Sequence, residues 1–184
     1  KGRPGWHIEC SAMAISSLDE QIDIHGGGED LKYPHHEAEI AQSEGSTNKK
    51  PFAKYWVHTG TVNYKNSKMS KSLGNLILVS ELLKTYSANS IRWMLLSHHY
   101  RESWEYTESE IKNAEKNIKE VEEYIKKNQF SESKNEESLM QFISFMDNDL
   151  QTPEVLSYIL KSAQERSGNA QSIRSILLTL GFSL

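Results

Sequence analysis

The chain has 184 residues, which is enough for one ordinary domain or for a small domain with part of another. A hydrophobic fraction of 37% without a long apolar run argues against a membrane span, and a net charge of -4 argues against a general nucleic-acid binder. The single cysteine, Cys10, excludes an internal disulfide framework and favours a reducing compartment.

Charge is distributed unevenly along the chain. Residues 46–101 carry nine Lys/Arg and one acid, whereas residues 1–45 and residues 102–184 each carry a net charge of -6. A basic middle between acidic flanks predicts local contact with a polyanion. A solvated charged face is the alternative explanation.

Predicted elements in the first part of the chain follow an α/β order. A short strand is expected over 21–25, and the glycines of 26–28 then permit a tight turn. The segment 34–44 predicts a helix with Pro34 in its first turn. Aromatic and β-branched residues predict a second strand over 55–62. Strand, loop, helix and strand in this order are typical of an α/β fold.

Residues suited to zinc occur near the predicted helix. His35 and Glu39 are spaced i, i+4, which places both side chains on one helical face. A thiolate from Cys10 would complete a set of three zinc donors. The alternative, which the spacing alone favours, is a structural histidine pair beside an unrelated buried cysteine.

The first predicted strand ends in the sequence HGGGED, residues 25–30. Glycines allow a nucleotide to approach the backbone closely, and Asp30 is suited to accept hydrogen bonds from ribose hydroxyls. A tight structural turn explains the glycines equally well.

The basic middle contains NSKMSKSLGN, residues 66–75. Nucleotidyl transfer builds negative charge on the α-phosphate and on the departing pyrophosphate, and lysines on a glycine-containing loop can meet that charge. Lys68 and Lys71 are therefore candidate catalytic residues. An ordinary solvated loop is the alternative.

The remainder of the chain is predicted to be helical. Thr107 and Glu110 form a capping box, and a stripe of apolar residues follows at helical spacing. Residues 128–138 are predicted to be a polar linker, Thr152 and Pro153 to begin a further helix, and a last amphipathic helix to end at Gly181. The stripe consists of Ile111, Ala114, Ile118, Val121 and Ile125.

Several segments together resemble cysteinyl-tRNA synthetase, a class I aminoacyl-tRNA synthetase. They are, in chain order, GRPGWHIECSAMA, DIHGGGEDLKYPHHEAEIAQSE, WVHTGTV and KMSKSLGN, and DNDLQTPEV continues the resemblance more loosely. The resemblance implies an α/β fold, the second half of a class I Rossmann-type nucleotide-binding catalytic domain followed by an α-helical bundle. The expected divisions are 1–79 for the catalytic part with the KMSKS loop, 80–106 for a connecting region, and 107–184 for an anticodon-binding-type bundle.

The resemblance also implies a role for each matching residue. Cys10, His35 and Glu39 would bind Zn²⁺, Trp6 and His25 would line the cysteine pocket, Gly27, Asp30 and Lys71 would bind ATP, and Lys68 and Lys71 would be catalytic. His36 is expected to support the ligand beside it, and His98 and His99 are expected to be structural. His7 and His58 receive no firm assignment, and tRNA-backbone contacts are expected around Arg92 and Arg101.

The implied function is ATP-dependent attachment of cysteine to tRNA(Cys) through cysteinyl-adenylate, with zinc selecting the thiol. The expected partners are ATP with Mg²⁺, L-cysteine and tRNA(Cys). The protein is expected to be a cytoplasmic monomer that does not associate with a membrane. The family's HIGH signature and a further zinc-binding cysteine do not occur in this sequence. We therefore expect a C-terminal portion of the catalytic domain that does not form the adenylate alone and that binds zinc more weakly.

Two other functions fit parts of the same pattern. A mycothiol-pathway ligase would share the zinc, glycine and KMSKS motifs but would join cysteine to an amino-sugar. A zinc-stabilised tRNA-binding module would lack catalysis. His25 and the helical tail after Arg101 favour the synthetase over the ligase, and the two lysines of KMSKS argue mildly against the module.

Overall fold

The computed structural model describes residues 5–70, 73–128 and 136–184. Within these residues the chain forms eight α-helices and five β-strands, divided between two compact units. The first unit is drawn from residues up to Thr61 together with Arg101–Ser103, and the second from Val62–Tyr100 and Trp104–Leu184. The predicted three-part division of the chain stays a prediction.

The first unit is a strand–helix–strand arrangement preceded by a helix. Its two strands pair in parallel, and α2 supplies the crossover that parallel pairing requires. A 3₁₀ turn at Glu29–Leu31 and a π-helical turn at Lys32–His36 connect the first strand to α2. The four elements are α1 (His7–Ser17), β1 (Ile22–Gly28), α2 (Glu37–Thr47) and β2 (Ala53–Thr59).

A small apolar core holds the first unit together. Ile22, Phe52 and Ala53 are buried in it, and Ile40 of α2 and Trp56 of β2 pack against them. The core lies at the amino-terminal ends of the strands, where Ile22 is opposite Ala53 in the register. The carboxyl ends of both strands therefore remain available for polar side chains.

The predicted first strand is confirmed, and it continues through the three glycines. Gly26–Gly28 pair with Val57–Thr59 of β2, so they do not form the predicted tight turn. The predicted helix begins later than the sequence pattern indicated, at Glu37. Tyr33 has an extended backbone (φ -137°, ψ 133°) inside the π turn, which agrees with the restriction on a residue that precedes proline. Pro34 belongs to that turn, and not to the first turn of α2.

The second predicted strand, over 55–62, is interrupted in the structure. β2 ends at Thr59, and the next strand begins at Val62 in the second unit. Between them the backbone N–H of Thr61 donates to the Ser103 hydroxyl at 2.9 Å, so it does not continue a strand ladder. The pattern of aromatic and β-branched residues is continuous over the segment, but the backbone hydrogen-bond partners differ before and after Thr61, so the segment forms two separate strands.

In its described residues, the second unit combines a three-stranded sheet with six helices. Its central strand, β3, pairs antiparallel with β4 and parallel with β5. The strands are β3 (Val62–Tyr64), β4 (Ser67–Lys68) and β5 (Trp104–Glu105). The helices are α3 (Val79–Leu82), α4 (Ala88–Leu96), α5 (Glu108–Lys127), α6 (Glu136–Asp147), α7 (Thr152–Gln164) and α8 (Ala170–Thr179).

Helix α5 forms as the sequence predicts. The Glu110 N–H donates to the Thr107 hydroxyl at 3.2 Å, and the Glu110 carboxylate accepts from the Thr107 N–H at 3.3 Å, which completes the capping box. All five residues of the predicted stripe are buried. They pack in one core with residues of α7 and α8, including Ile159 and Leu177.

The remaining helical predictions are largely confirmed. Helix α7 begins at Thr152 with Pro153 in its first turn, and Gly181 follows the end of α8. Of the predicted linker, residues 129–135 lie outside the described residues, and the segment from Glu136 belongs to α6. Among the described helices, none is both long enough and apolar enough to cross a membrane.

Candidate metal and substrate site

The three predicted metal ligands converge in the first unit. Cys10 comes from α1, His35 from the π turn and Glu39 from the first turn of α2. One donor atom from each residue lies within 4.8 Å of the others. The i, i+4 pair predicted from the sequence is thus joined by a thiol that is distant along the chain.

The buried carboxylate of Glu39 indicates whether a cation fits this cluster. Its side chain is 0% exposed, and neither carboxylate oxygen has a hydrogen-bond partner among the described residues. Oε1 lies 2.6 Å from His35 Nε2 and Oε2 lies 3.0 Å from His25 Nε2, but neither contact has hydrogen-bond geometry. Burial raises the pKa of this carboxyl, because desolvation disfavours its charge. A divalent cation would compensate the charge, and thiolate, imidazole and carboxylate are the donors that zinc prefers.

Burial also shifts the pKa values of the other two predicted ligands. Burial, and then the charge of His7, lowers the pKa of His35, so its imidazole stays neutral and able to ligate. Burial raises the pKa of the Cys10 thiol, and the carboxylate of Glu39 adds to the effect. A bound cation would instead favour the thiolate form of Cys10, because metal binding displaces the thiol proton.

Trp6 and His7 contact His35 from the start of α1. The indole of Trp6 stacks on the His35 ring with centroids 3.8 Å apart and planes 15° apart. Trp6 itself remains 54% exposed. His7 Nδ1 lies 2.7 Å from His35 Nδ1. The predicted substrate residue Trp6 therefore adjoins the predicted metal ligand directly.

A second group of possible ligands shares Glu39 with the first. Donor atoms of His25, His36 and Glu39 also lie within 4.8 Å of one another. His36 Nδ1 is 2.8 Å from His58 Nε2. Burial first, and neighbouring imidazoles second, lower the pKa of His36 to about 4, so this ring is neutral at neutral pH. His25, predicted to line the substrate pocket, is placed against Glu39 by this arrangement.

Two of these contacts escaped the sequence interpretation. His7 meets a residue 28 positions away, and His58 meets one 22 positions away. Neither separation matches a helical or strand repeat. The only sequence signal was the abundance of histidine before residue 100, which does not say which rings meet.

The predicted ATP-binding residues Gly27 and Asp30 lie at the carboxyl end of β1 and in the 3₁₀ turn after it. A Cβ at Gly27 would lie 2.8 Å from His36 Cε1 and 3.1 Å from Leu31 Cδ1. Close packing against His36 is therefore a sufficient reason for glycine at this position. Asp30 is exposed. In open α/β sheets, ligands bind outside the carboxyl ends of the strands, which is where both residues are found.

The KMSKS segment belongs to the second unit, and Lys71 and Ser72 lie outside the described residues. Lys68 is on β4. The Asn75 side chain accepts from the Ser70 N–H at 2.9 Å and donates to the Lys68 carbonyl at 3.2 Å. Gly74 has a φ of +64°, which favours glycine. The glycine and asparagine of KMSKSLGN thus shape the loop that carries the lysines.

Comparison with solved structures defines the class of fold. The Agrobacterium radiobacter K84 agnB2 LeuRS, solved with tRNA and LeuAMS, matches 86% of this chain and 25% of that chain with a TM-score of 0.64 and 16% identity. A putative arginyl-tRNA synthetase from Campylobacter jejuni matches 99% of this chain and 52% of that chain with a TM-score of 0.59 and 12% identity. The predicted α/β fold of a class I synthetase is therefore confirmed.

Sequence comparison identifies the family more narrowly. Residues 1–116 match the family model described as tRNA synthetases class I (C) catalytic domain, and the chain belongs to that family. This match confirms the predicted resemblance to cysteinyl-tRNA synthetase, together with the relatives named cysteine–tRNA ligase.

Three of these relatives indicate how much of such a protein the chain represents. Identity is 44% over 190 residues with Legionella pneumophila (strain Corby), covering 99% of this chain and 41% of the relative. It is 42% over 193 residues with Caldicellulosiruptor saccharolyticus, covering 97% and 41%. It is 48% over 172 residues with Streptococcus agalactiae serotype V, covering 89% and 37%. The chain thus spans about two fifths of the length of these relatives.

Proposed function

We propose that the chain takes part in the ATP-dependent attachment of cysteine to tRNA(Cys) through cysteinyl-adenylate. The activity is proposed for the full-length protein that carries the chain, because the chain spans 41% of the Legionella relative. The convergence of Cys10, His35 and Glu39 beside Trp6 and His25 is the observation that carries the proposal.

Cys10, His35 and Glu39 would hold a zinc ion in this proposal. Cysteine and serine differ in a thiol against an alcohol and are nearly the same shape, so the shape of a pocket distinguishes them poorly. Zinc, when bound, prefers a thiolate to a neutral alcohol and would therefore select cysteine. Burial of His35 and Glu39 fixes their donor atoms before the substrate arrives. Trp6 covers one face of His35 and keeps an exposed face of its own, against which a small amino acid can pack.

Adenylate formation would use the remaining predicted residues. The cysteine carboxylate attacks the α-phosphate of ATP, bound with Mg²⁺, and pyrophosphate leaves. Gly27 and Asp30 would bind the nucleoside at the end of β1, where a glycine strand edge allows close approach. Lys68 and Lys71 would neutralise the charge that develops on the phosphates. The terminal ribose of tRNA would then take the cysteinyl group.

Contacts with tRNA are proposed for the basic residues 46–101, which carry nine of the 21 Lys/Arg of the chain. Arg92 is a weaker candidate than expected, because its Nη1 donates to the Leu180 carbonyl at 3.4 Å at the end of α8.

A cytoplasmic location is proposed because a zinc-binding Cys10 must remain reduced. A monomer remains the expected state.

The test measures transfer of labelled cysteine by the full-length protein to tRNA(Cys), with an amino-sugar acceptor in parallel. We expect transfer to tRNA, and a loss on the order of 10²-fold in Lys68→Ala or Lys71→Ala. Lys65→Ala, three residues from Lys68, is the control: it can weaken tRNA binding, but it should leave cysteine-dependent ATP–pyrophosphate exchange, which needs no tRNA, unchanged. Transfer to the amino-sugar alone would assign the chain to the ligase, and tRNA binding without any transfer would assign it to the non-catalytic module.

A further inference from the structure

His7, to which the sequence interpretation gave no firm role, makes a close contact with a predicted metal ligand. Its Nδ1 lies 2.7 Å from Nδ1 of His35. The other ring nitrogen of His35, Nε2, faces Oε1 of Glu39 at 2.6 Å. The two nitrogens of His35 therefore face two different partners, the metal cluster on one side and His7 on the other.

The chemistry of imidazole restricts how this pair can be protonated. A nitrogen that ligates a metal carries no proton, so His35 ligating through Nε2 carries its proton on Nδ1. Between two nitrogens in a hydrogen bond, one donates and the other accepts. His7 must then accept at Nδ1 and hold its own proton on Nε2.

We propose that His7 is a positioning residue for the metal site: it accepts the Nδ1–H of His35 and thereby fixes the tautomer and orientation that turn His35 Nε2 toward Cys10 and Glu39. The inference rests on the zinc site of the proposed function. Metal-ligating histidines usually donate to a carboxylate, a carbonyl or water, and such partners raise metal affinity. Here a second imidazole has that role.

The start of α1 places His7 and Cys10 close to His35. His7 and Cys10 are three residues apart on α1, so they share one face of the helix. The same face supplies a metal ligand and the partner of another ligand. Trp6 stacks on the His35 ring at 3.8 Å, so the ring is restrained over its face as well as at its edge.

Two substitutions separate the hydrogen bond from simple packing. In His7→Asn the side-chain oxygen can occupy the position of Nδ1 and accept, whereas His7→Phe keeps a ring and removes the acceptor. We expect the Zn²⁺ dissociation constant of the chain, measured by chelator competition, to rise about 10–100-fold in His7→Phe and to stay near the original value in His7→Asn. His98→Phe, whose ring stacks on Trp104 in the second unit, is the matched control and leaves zinc affinity unchanged.

A double-mutant cycle tests whether His7 acts through His35. In a His35→Ala background, His7→Phe should cause no further loss of zinc affinity, because the group it positions is gone. An equal loss in both backgrounds would indicate a general structural role and overturn the proposal.

A measurement on the unmodified chain avoids dependence on how the variants fold. In the zinc-loaded chain, ¹⁵N NMR should place the proton on His35 Nδ1 and show a scalar coupling to His7 Nδ1 through the hydrogen bond. A proton on His7 Nδ1, or unchanged affinity in a folded His7→Phe, would overturn the role of His7 and leave the zinc site standing. Failure of the unmodified chain to bind zinc would overturn the proposed zinc site itself.

Discussion

At the scale of single residues, Glu39 sets the chemistry of the site. Its carboxylate is fully buried between the Nε2 atoms of His25 and His35, and no described hydrogen-bond donor satisfies it. An uncompensated buried charge is costly, so either a proton or a cation must neutralise it. Soft and borderline donors around it favour a cation of the zinc type.

Replacing Glu39 by Gln should therefore remove zinc binding with little loss of shape. We expect a loss of zinc affinity larger than the roughly 10–100-fold that removal of a ligand's outer partner causes. Glu37→Gln is the control, because Glu37 is exposed in the same first turn of α2. Equal zinc affinity in the two variants, measured by chelator competition, would exclude Glu39 as a ligand.

Gly27 permits a test of the close packing at the end of β1. In Gly27→Ala the new Cβ would lie 2.8 Å from His36 Cε1, whereas in Gly26→Ala its nearest neighbour would be the Val57 carbonyl oxygen at 3.6 Å. We expect Gly27→Ala to lower the free energy of unfolding by about 1–3 kcal/mol and Gly26→Ala to change it much less. Urea denaturation followed by circular dichroism distinguishes them. A larger loss in Gly26→Ala would contradict the packing explanation.

The sequence indicates the proposed metal donors of this site more readily than the residues that surround them. Residue type and the i, i+4 spacing single out His35 and Glu39, because both features are local. The contact between His7 and His35 depends on how α1 meets the π turn, and the contact between His36 and His58 depends on the pairing of β1 with β2. Both are consequences of the tertiary fold, which no local pattern contains.

At the scale of elements, the Asn75 side chain links two backbone groups of the KMSKS loop. Asn75 bridges the Lys68 carbonyl and the Ser70 N–H. The amide thus closes the loop with one acceptor and one donor, a pairing that an aliphatic residue cannot make.

Asn75→Ala should slow cysteine transfer in the full-length protein without changing zinc affinity. A decrease on the order of 10²-fold is expected, because displacement of a positioned charge by about 1 Å can cost that much. Asn75→Asp keeps the acceptor for Ser70 and loses the donor to Lys68, so its rate should be intermediate. Unchanged transfer in Asn75→Ala would show that the bridge does not position the lysines.

Helix α5 provides the main apolar stripe of the second unit. Ile118 is 1% exposed, whereas the neighbouring Lys119 is a surface residue paired with Glu115 at 2.9 Å. Ile118→Ala should lower the free energy of unfolding by about 2–5 kcal/mol. Lys119→Ala should change it by about 0.5 kcal/mol or less. Similar losses in the two variants, measured by denaturant titration, would contradict the burial of the stripe.

Elements differ in how far the sequence predicts them. α5 carries its capping box, its stripe and its length in local sequence, so its prediction is accurate. The interruption between β2 and β3 depends on a hydrogen bond from Thr61 to Ser103, which is 42 residues away. Residues 34–36, which the pattern assigns to the start of α2, belong to the π turn over Lys32–His36, and the spacing of apolar residues does not show this change of hydrogen-bond pattern.

At the scale of the whole molecule, the two units have very different cores. Among the described residues, the first buries Ile22, Phe52 and Ala53 in its apolar cluster, whereas the second buries 17 residues in one cluster. A small core often relies on another stabilising element, and a structural metal is a common one. The proposed zinc site lies in the unit that would gain most from it.

Zinc should therefore stabilise the first unit selectively. At a free zinc concentration about 100-fold above the dissociation constant, the expected gain is about 2.7 kcal/mol for a site that binds only the folded state. Hydrogen exchange read by mass spectrometry should show added protection in β1, α2 and β2 and little change in α5 and α7. Equal protection in both units would contradict a zinc site confined to the first.

Selection of the thiol is tested most directly by comparing cysteine with serine in ATP–pyrophosphate exchange by the full-length protein. We expect cysteine to support exchange and serine not to, Glu39→Gln to abolish the preference for cysteine, and Glu37→Gln to preserve it. A Glu39→Gln enzyme that still prefers cysteine as strongly as the original would contradict selection of the thiol by the ligand set of this chain.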